Sequence, residues 1–507
     1  MGTAVVGILK DCCGTVRHCA PASLTQSRKD AKEYLEFFAP WRLGVRQFRL
    51  GLVAAPLLSG AGAFSCQAVF RRRWYNRCVE LPRICLVRQN LPDRSIADLP
   101  TETREQLELA DFASRVKPGG RVAIGAGSRG IASIDIILRA VVDYWKEHGA
   151  RPFIFPAMGS HGAATAEGQT SVLAHYGIVE QSMGCPIISS LEVVPTGRTP
   201  EGIETYMDRQ AYESDGVLMV NRVKWHTDFG GKMESGLCKM SAIGVGKLAG
   251  AQQYHAFGHR IGLEQVVRSV YRQIAKSGKM LGGLAILEDA THTPAKLAAV
   301  RSEELEQREE ELLELVKSWM ARVPVETLDL LIVDQMGKNI SGTGMDTKVV
   351  NRSIHGGANC FDTAPFIHRV FAREMSDLSY GNAVGVGLAD VVTDRLLAKI
   401  DWDATYLNSL TACTPPGIQI PIHFPTDREC ATKIGRTAGR LDLSELTIGW
   451  IANTNELHLL ALSENLLGEI GKNPHLEVLS EPMELPFDAD GNLPPLEEVA
   501  APALTGR

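Results

Sequence analysis

Several features that a functional reading looks for first are missing from this chain. It has no CxxC pair, although it carries 11 cysteines in 507 residues. That excludes a zinc ribbon and a dithiol redox motif, and so sparse a set is no disulfide framework. Six of the cysteines precede residue 86 and the rest are scattered, as thiols in a reducing compartment are. No GxxxxGK[ST] phosphate loop and no HExxH metal motif occurs. Basic excess is absent too: the formal charge is -6 and the pI near 6.1, with no sign of the basic face that a nucleic-acid partner needs. Internal repeats are absent. What remains is ordinary for a globular protein, with 45% hydrophobic and 22% charged residues and length enough for two to four domains.

Residues 1–77 stand apart. An uncharged run from Leu50 to Phe70 lies between arginines and has the ~20 residues of a membrane span. Pro56, Ser59, Ser65 and several glycines interrupt it, and it begins too far from Met1 for an ordinary signal peptide. Three readings stay open: a transmembrane helix, an organelle-targeting segment with basic flanks and no acids, and a spurious upstream extension. This atypical extension carries no weight in the fold.

From Val79 the pattern is regular. ELPRICLVRQNL reads as a strand and TETREQLELADFASRV as an amphipathic helix. Strands are predicted at Arg121 to Gly125, Pro152 to Pro156 and Val217 to Val220, with helices at Ser133 to His148 and Glu167 to Tyr176. Strand-helix-strand units of this length imply a parallel sheet. A helix from Leu263 to Ser277 and a strand from Gly283 to Leu287 follow. Glu304 to Val323 is charged with apolar residues at helical spacing, and reads as a linker between domains with one solvated face. A second α/β unit opens at Leu328 to Asp334, with further strand candidates at Asn382 to Val392, Ile418 to Ile422 and Leu446 to Ala452. The predicted architecture is α/β, with two domains of mostly parallel sheet and the active site in the cleft between them. The expected boundaries are 78–303, a linker at 304–325, 326–487, and a loose tail at 488–507.

The chemistry concentrates in loops after strands. VLMVNRVKWHTDFGGKMESGLCKMSAIGVGKLAGAQQYH, from Val217 to His255, passes from a buried strand into a glycine-rich turn with Lys224, Trp225, His226 and Asp228, then Lys239. Dense glycines let a backbone approach a ligand closely. Ala126-Gly127-Ser128-Arg129-Gly130 and Met158-Gly159-Ser160-His161-Gly162 end two other strands. Gly125-Ala126-Gly127 is no more than a weak dinucleotide signal, because the third glycine is out of register. The loops of neighbouring strands converge on one edge of such a sheet, which would assemble Arg129, His161, His226, Lys239 and His255. An arginine grips a carboxylate through two hydrogen bonds, and two histidines can serve as bases on opposite faces. The combination suits an acid whose stereocentre is inverted. Arg129 as a helix cap or surface ion-pair partner, His161 as a turn residue and Lys239 as a surface lysine are the plainer alternatives. His259, His292, His355 and His368 read as structural.

The loops GAGSRG, MGSHG and WHTDFGG…SGLCK…GVG…QQYH resemble the nickel-dependent lactate racemase family, over the chain from about residue 79 to the last hundred residues. Lys239 and His255 are sixteen residues apart, as are that family's cofactor lysine and nickel histidine. The resemblance implies two α/β domains, a nickel-pincer nucleotide in the cleft, and racemisation or epimerisation of a 2-hydroxy acid by reversible hydride transfer. It implies that Lys239 holds the cofactor through a thioamide and that His255 completes the planar nickel set. It makes His161 and His226 the two proton-transferring bases and places Ser128 and Arg129 on the substrate carboxylate. Gly244, Gly246, Gly344 and Asp346 fall on the cofactor side.

The chain also departs from the family. Ala126 replaces an acid, Gly130 a proline, and His226 and Lys239 stand three residues farther apart than usual. Beyond the GTGMD loop, Gly342 to Asp346, a glutamine and a lysine of the family appear as Asn351 and Ile354. The expected substrate is therefore a 2-hydroxy acid other than lactate, possibly larger. Cofactor-assembly enzymes are the expected protein partners, with no nucleic acid and no membrane. The expected compartment is cytoplasmic, organelle targeting staying open. The alternative is a non-catalytic relative that binds a small carboxylate.

Overall fold

The computed structural model describes residues 80–127, 130–159, 161–362 and 364–505, all within one unit of the chain, Asn76–Arg507. The readings made for residues 1–77 lie outside the described residues. In chain order the strands are β1 (Ile84–Gln89), β2 (Arg121–Ala126), β3 (Arg151–Pro156), β4 (Val193–Arg198) and β5 (Glu204–Asp208). Next come β6 (Gly216–Arg222), β7 (Met280–Glu288), β8 (Pro294–Arg301), β9 (Thr327–Met336) and β10 (Phe366–Met375). The last are β11 (Val391–Thr393), β12 (Ile422–Phe424), β13 (Ile448–Ile451), β14 (Leu459–Ser463) and β15 (Leu476–Val478).

Two sheets organise two lobes. The first has the order β3-β2-β6-β7-β8, parallel except for β8, and the second the order β12-β11-β10-β9-β13-β14-β1-β15. The second is parallel from β12 to β13 and antiparallel beyond. The architecture is mixed α/β with mostly parallel sheets, as the alternation of strands and helices predicts. Both faces of the first sheet are covered. Val217 and Met219 of β6 point into one core, Leu218 and Val220 into the other. An uninterrupted apolar strand is what such double burial requires. The helix Ile134–Glu147 shows the matching pattern, burying Ile134, Ile137, Leu138, Val141, Val142 and Trp145 along one stripe.

Five expectations need correction. First, β1 belongs to the second sheet, where Ile84 stands opposite Ser463 of β14. The apolar run ICLV specifies a buried strand but says nothing of its partner, so a domain boundary at 78 misplaces it. Second, Asn382 to Val392 is mostly a glycine-shaped turn with a short 3-10 segment, Val386–Leu388, and only its end enters β11. Gly385 has φ +104, and a side chain there would overlap the Thr343 carbonyl. Third, Ile418 to Ile422 only touches a strand, because Pro415–Ile418 is a 3-10 turn and β12 begins at Ile422. Fourth, the tail from 488 is packed. Leu496 and Ala500 are 0% exposed in the helix Leu496–Thr505, and the Leu496 N–H donates to Asp334 Oδ2 at 2.7 Å. The expected linker, observed as the helix Leu305–Trp319, is integral to the first lobe, with Leu305, Leu312, Leu313 and Val316 in its core. Among the described residues no helix is long and apolar enough to cross a membrane.

The packed tail gives the fold's clearest test. A chain ending at residue 487 loses the buried Leu493, Leu496 and Ala500 and the N–H that serves Asp334. Its melting temperature should fall by more than about 5 °C, if it folds at all. An unchanged thermal unfolding curve would mean that the tail is an ornament.

Candidate functional site

At the carboxyl edge of the first sheet, β6 runs out at Arg222 into a loop that folds back on itself. Lys224 and Ser235 pair across it, each N–H donating to the other's carbonyl at 2.9 and 3.2 Å. Between them Glu234 turns inward and is 1% exposed. Its carboxylate accepts the His226 N–H at 2.5 Å and the Gly231 N–H at 3.2 Å. It also pairs with Lys317 of the helix Leu305–Trp319 at 3.0 Å and with Lys348 of the second lobe at 2.8 Å. Lys348 adds a hydrogen bond to the His226 carbonyl at 2.6 Å. The Trp225 Nε1–H donates to Asp346 Oδ2 at 2.8 Å, and Thr347 Oγ1 donates to the Thr227 carbonyl at 2.8 Å. The turn 346–348 of the second lobe thus grips the backbone on both sides of His226.

The imidazole of His226 is fixed as tightly. Its Nδ1 accepts the Asp228 N–H at 3.0 Å, so in the neutral ring the proton sits on Nε2. Nε2 is in hydrogen-bond contact with Lys239 Nζ. His255, on the helix Lys247–Ile261, is half-buried nearby. Burial first, and then the neighbouring Lys239, push its pKa down to about 4, which keeps the imidazole neutral.

His161 ends the loop after β3, and that loop rests on the same elements. A side chain at Gly159 would meet Ala251 Cβ at 2.9 Å, and one at Gly244 would sit 2.5 Å from the Ala157 carbonyl. Beneath it Lys247 reaches the Pro156 carbonyl at 2.7 Å, Gln169 Oε1 at 3.2 Å and Asp208 at 3.3 Å, wholly buried. Gln169 in turn donates to the Met158 and Gly159 carbonyls at 3.1 and 3.2 Å. Ser128 and Arg129 lie outside the described residues. Their flanks are held at the end of β6, where Arg222 donates to the Gly130 carbonyl at 2.8 Å.

The structure thus brings His226 and Lys239 into contact, with His255 in electrostatic reach and the His161 loop packed on the same turn. The four positions expected on the cofactor side sit close to protein. A side chain at Gly246 would lie 2.8 Å from the Ala242 carbonyl, and one at Gly344, where φ is +73, 2.6 Å from the Val384 carbonyl. Asp346 holds Trp225 and caps the turn through the Lys348 N–H at 2.9 Å.

Other residues were given no role in the site by the sequence reading. His355 of the second lobe has its Nε2 2.5 Å from Asp228 Oδ1, which raises its pKa, and its ring stands edge-on to His259 at 5.8 Å. His259 follows His255 by one helical turn, a spacing that marks it as a neighbour on the same face. Lys348 of the second lobe, just past the GTGMD loop, holds both Glu234 and the His226 carbonyl. Lys224, two residues before His226, is pulled down to about 8 by burial and then by Arg222. Among the described residues no three His, Cys, Asp or Glu side chains converge as a metal site. A metal beside His255 would need its other donors from a bound cofactor.

No protein-family model and no curated protein matches the chain. Among solved structures it is similar to a lactate racemase apoprotein from Thermoanaerobacterium thermosaccharolyticum, with a TM-score of 0.44 and 16% identity over 73% of this chain and 98% of that one. A protein from Thermotoga maritima is similar with a TM-score of 0.43 and 11% identity, over 70% of this chain and 97% of that one.

The turn carrying Lys239 is capped from below by a buried acid. Glu309 Oε2 accepts the Cys238 N–H at 2.8 Å, while Oε1 has no partner, and burial raises its pKa to about 7. A carboxyl whose pKa rises on folding holds its proton more tightly in the folded state. Stability is then full below the unfolded value near 4.5 and falls as pH climbs through about 7. The Glu309→Gln variant cannot ionise. Its unfolding free energy relative to wild type should improve by on the order of 3 kcal/mol between acidic and neutral pH, read from urea titrations. A difference independent of pH would show that the acid does not titrate in the folded protein.

Proposed function

We propose that this chain is a racemase or epimerase of a 2-hydroxy acid that works with a nickel-pincer nucleotide. The observation that carries the reading is the meeting of His226 with Lys239, with the neutral His255 beside them. The donor set fits such a group. Lys239 offers a nitrogen lone pair for a covalent link, and His255 a single neutral imidazole for a metal whose remaining donors arrive with the nucleotide. When bound, the nucleotide supplies the hydride acceptor that no side chain can provide.

The chain's own residues do the rest. Arg129, with Ser128, orients the substrate carboxylate. His161 and His226 move the hydroxyl proton, one taking it and the other returning it as the substrate inverts. With the Asp228 N–H on Nδ1, His226 stands in its proton-donating form, and must release that hydrogen bond to act as a base. His161 is then the first acceptor. The loss of either should cost ~10²–10⁴-fold in rate from both enantiomers. Lys348, tied to Glu234, supports His226 and leaves the carboxylate to the first lobe, in keeping with a substrate other than lactate. Enzymes that assemble the nucleotide would be its partners in the cell.

The test is the mass of the intact protein made together with those assembly enzymes. The expected result is an adduct of nucleotide size, located on a peptide containing Lys239 and absent from Lys239→Ala. An unmodified, well-folded protein would remove the racemase reading and favour a small-carboxylate-binding relative.

A further inference from the structure

The second sheet reverses its winding between β9 and β13. From β9 the chain lays down β10, β11 and β12 on one side, then returns to place β13 on the other. In open parallel sheets, ligands lie outside the carboxyl ends of the strands at such a point. Here the structure has a cavity of about 560 Å³, bounded by the ends of β9, β10 and β13 and by the start of the helix Leu496–Thr505. That volume is typical of a small-molecule site.

The charges around it decide what it could hold. Arg373 is fully engaged, with Nε donating to Asp427 Oδ2 at 3.0 Å, Nη1 to Asp334 and Nη2 to the Leu493 carbonyl. Arg395 gives its charge to Asp427 at 2.6 Å and Glu374 at 3.3 Å. An anion would find no available guanidinium. At the mouth, exposed Glu456 and Glu497 stand within hydrogen-bonding reach of each other, and that contact raises the Glu497 pKa. Two carboxylates so close repel one another, and an arriving cation would relieve that repulsion. On the wall, Asn453 is 8% exposed. Its Oδ1 accepts the N–H groups of Asn455 at 2.9 Å and Glu456 at 3.1 Å, so the amide hydrogens are what it can offer a ligand. That amide is a donor awaiting an oxygen. A metal ion is the poorer fit, since no three ligating side chains converge among the described residues and the cavity is many times an ion's size.

We propose that this cavity binds a small organic cation, its ammonium or guanidinium group held between Glu456 and Glu497 and an oxygen of the same molecule received by Asn453. The site is separate from His226, yet its wall is continuous with the catalytic loop's support. Next to Asn453, Thr454 Oγ1 accepts the Asp346 N–H at 2.9 Å, and the Asn455 carbonyl meets His292 Nε2 at 3.0 Å. Asp346 is the residue that holds Trp225. A ligand that orders the 453–455 loop would therefore act on the lobe contact beside His226.

Calorimetric titration of the full chain with argininamide and agmatine, at 150 mM salt to screen surface charge, tests the proposal. Both probes carry a guanidinium, and only argininamide carries the oxygen. Both should bind saturably at one per chain, argininamide the tighter, with a dissociation constant below about 1 mM. The double variant Glu456→Gln/Glu497→Gln replaces two exposed side chains by isosteres, so it should melt like wild type while losing at least about tenfold in affinity for both. Absence of saturable binding, binding undiminished in the double variant, or competition by glutarate would each overturn the proposal.

Discussion

Glu234 receives two cations and two backbone N–H groups in a space closed to water. Lys317 comes from the helix that leads out of the first lobe, Lys348 from the second lobe, and the N–H groups from the loop around His226. A buried carboxylate without such partners would cost several kcal/mol, and with them it ties three segments to one point. The loop cannot shift without breaking charge-assisted bonds, so His226 inherits its position from Glu234. The contact with Lys239 follows from that position. Removing either lysine would leave the acid partly uncompensated, and the loop is where the strain would appear.

Close backbone approach is the second constraint. Gly244, Gly246 and Gly344 look like ligand-facing positions because a glycine is needed wherever something comes near. In the fold, what comes near is the Ala157, Ala242 or Val384 carbonyl. The Gly244–Ala157 approach lays the His161 loop against the turn that follows Lys239. Lys247, Asp208 and Gln169 complete that support from underneath, where burial makes each partner indispensable to the others.

The first sheet was legible because its strands are uninterrupted apolar runs and its helices carry a clean stripe, as in Ile134–Glu147. β10 was not, because FIHRVFAREM places His368, Arg369, Arg373 and Glu374 in a strand, and only the three-dimensional pairing of Arg373 with Asp334 and Asp427 explains a buried guanidinium. The membership of β1 and the packing of the proline-rich tail are long-range facts, invisible to local pattern. At the site, the strand-end loops showed which residues to consider. His355 and Lys348 did not stand out, since their importance depends on which lobe faces the loop, and a residue 129 positions from His226 gives no local signal of that.

The central claim is that the fold seats Lys239 Nζ against His226 Nε2, because Glu234 fixes the loop that carries His226. Competitive acetylation of the apoprotein at neutral pH, with the lysines quantified peptide by peptide, measures this directly. Held against His226, Lys239 should acetylate more slowly than an exposed lysine such as Lys232, and Glu234→Gln should narrow that gap. A Lys239 that reacts as fast as Lys232 in the wild-type protein would contradict the claim.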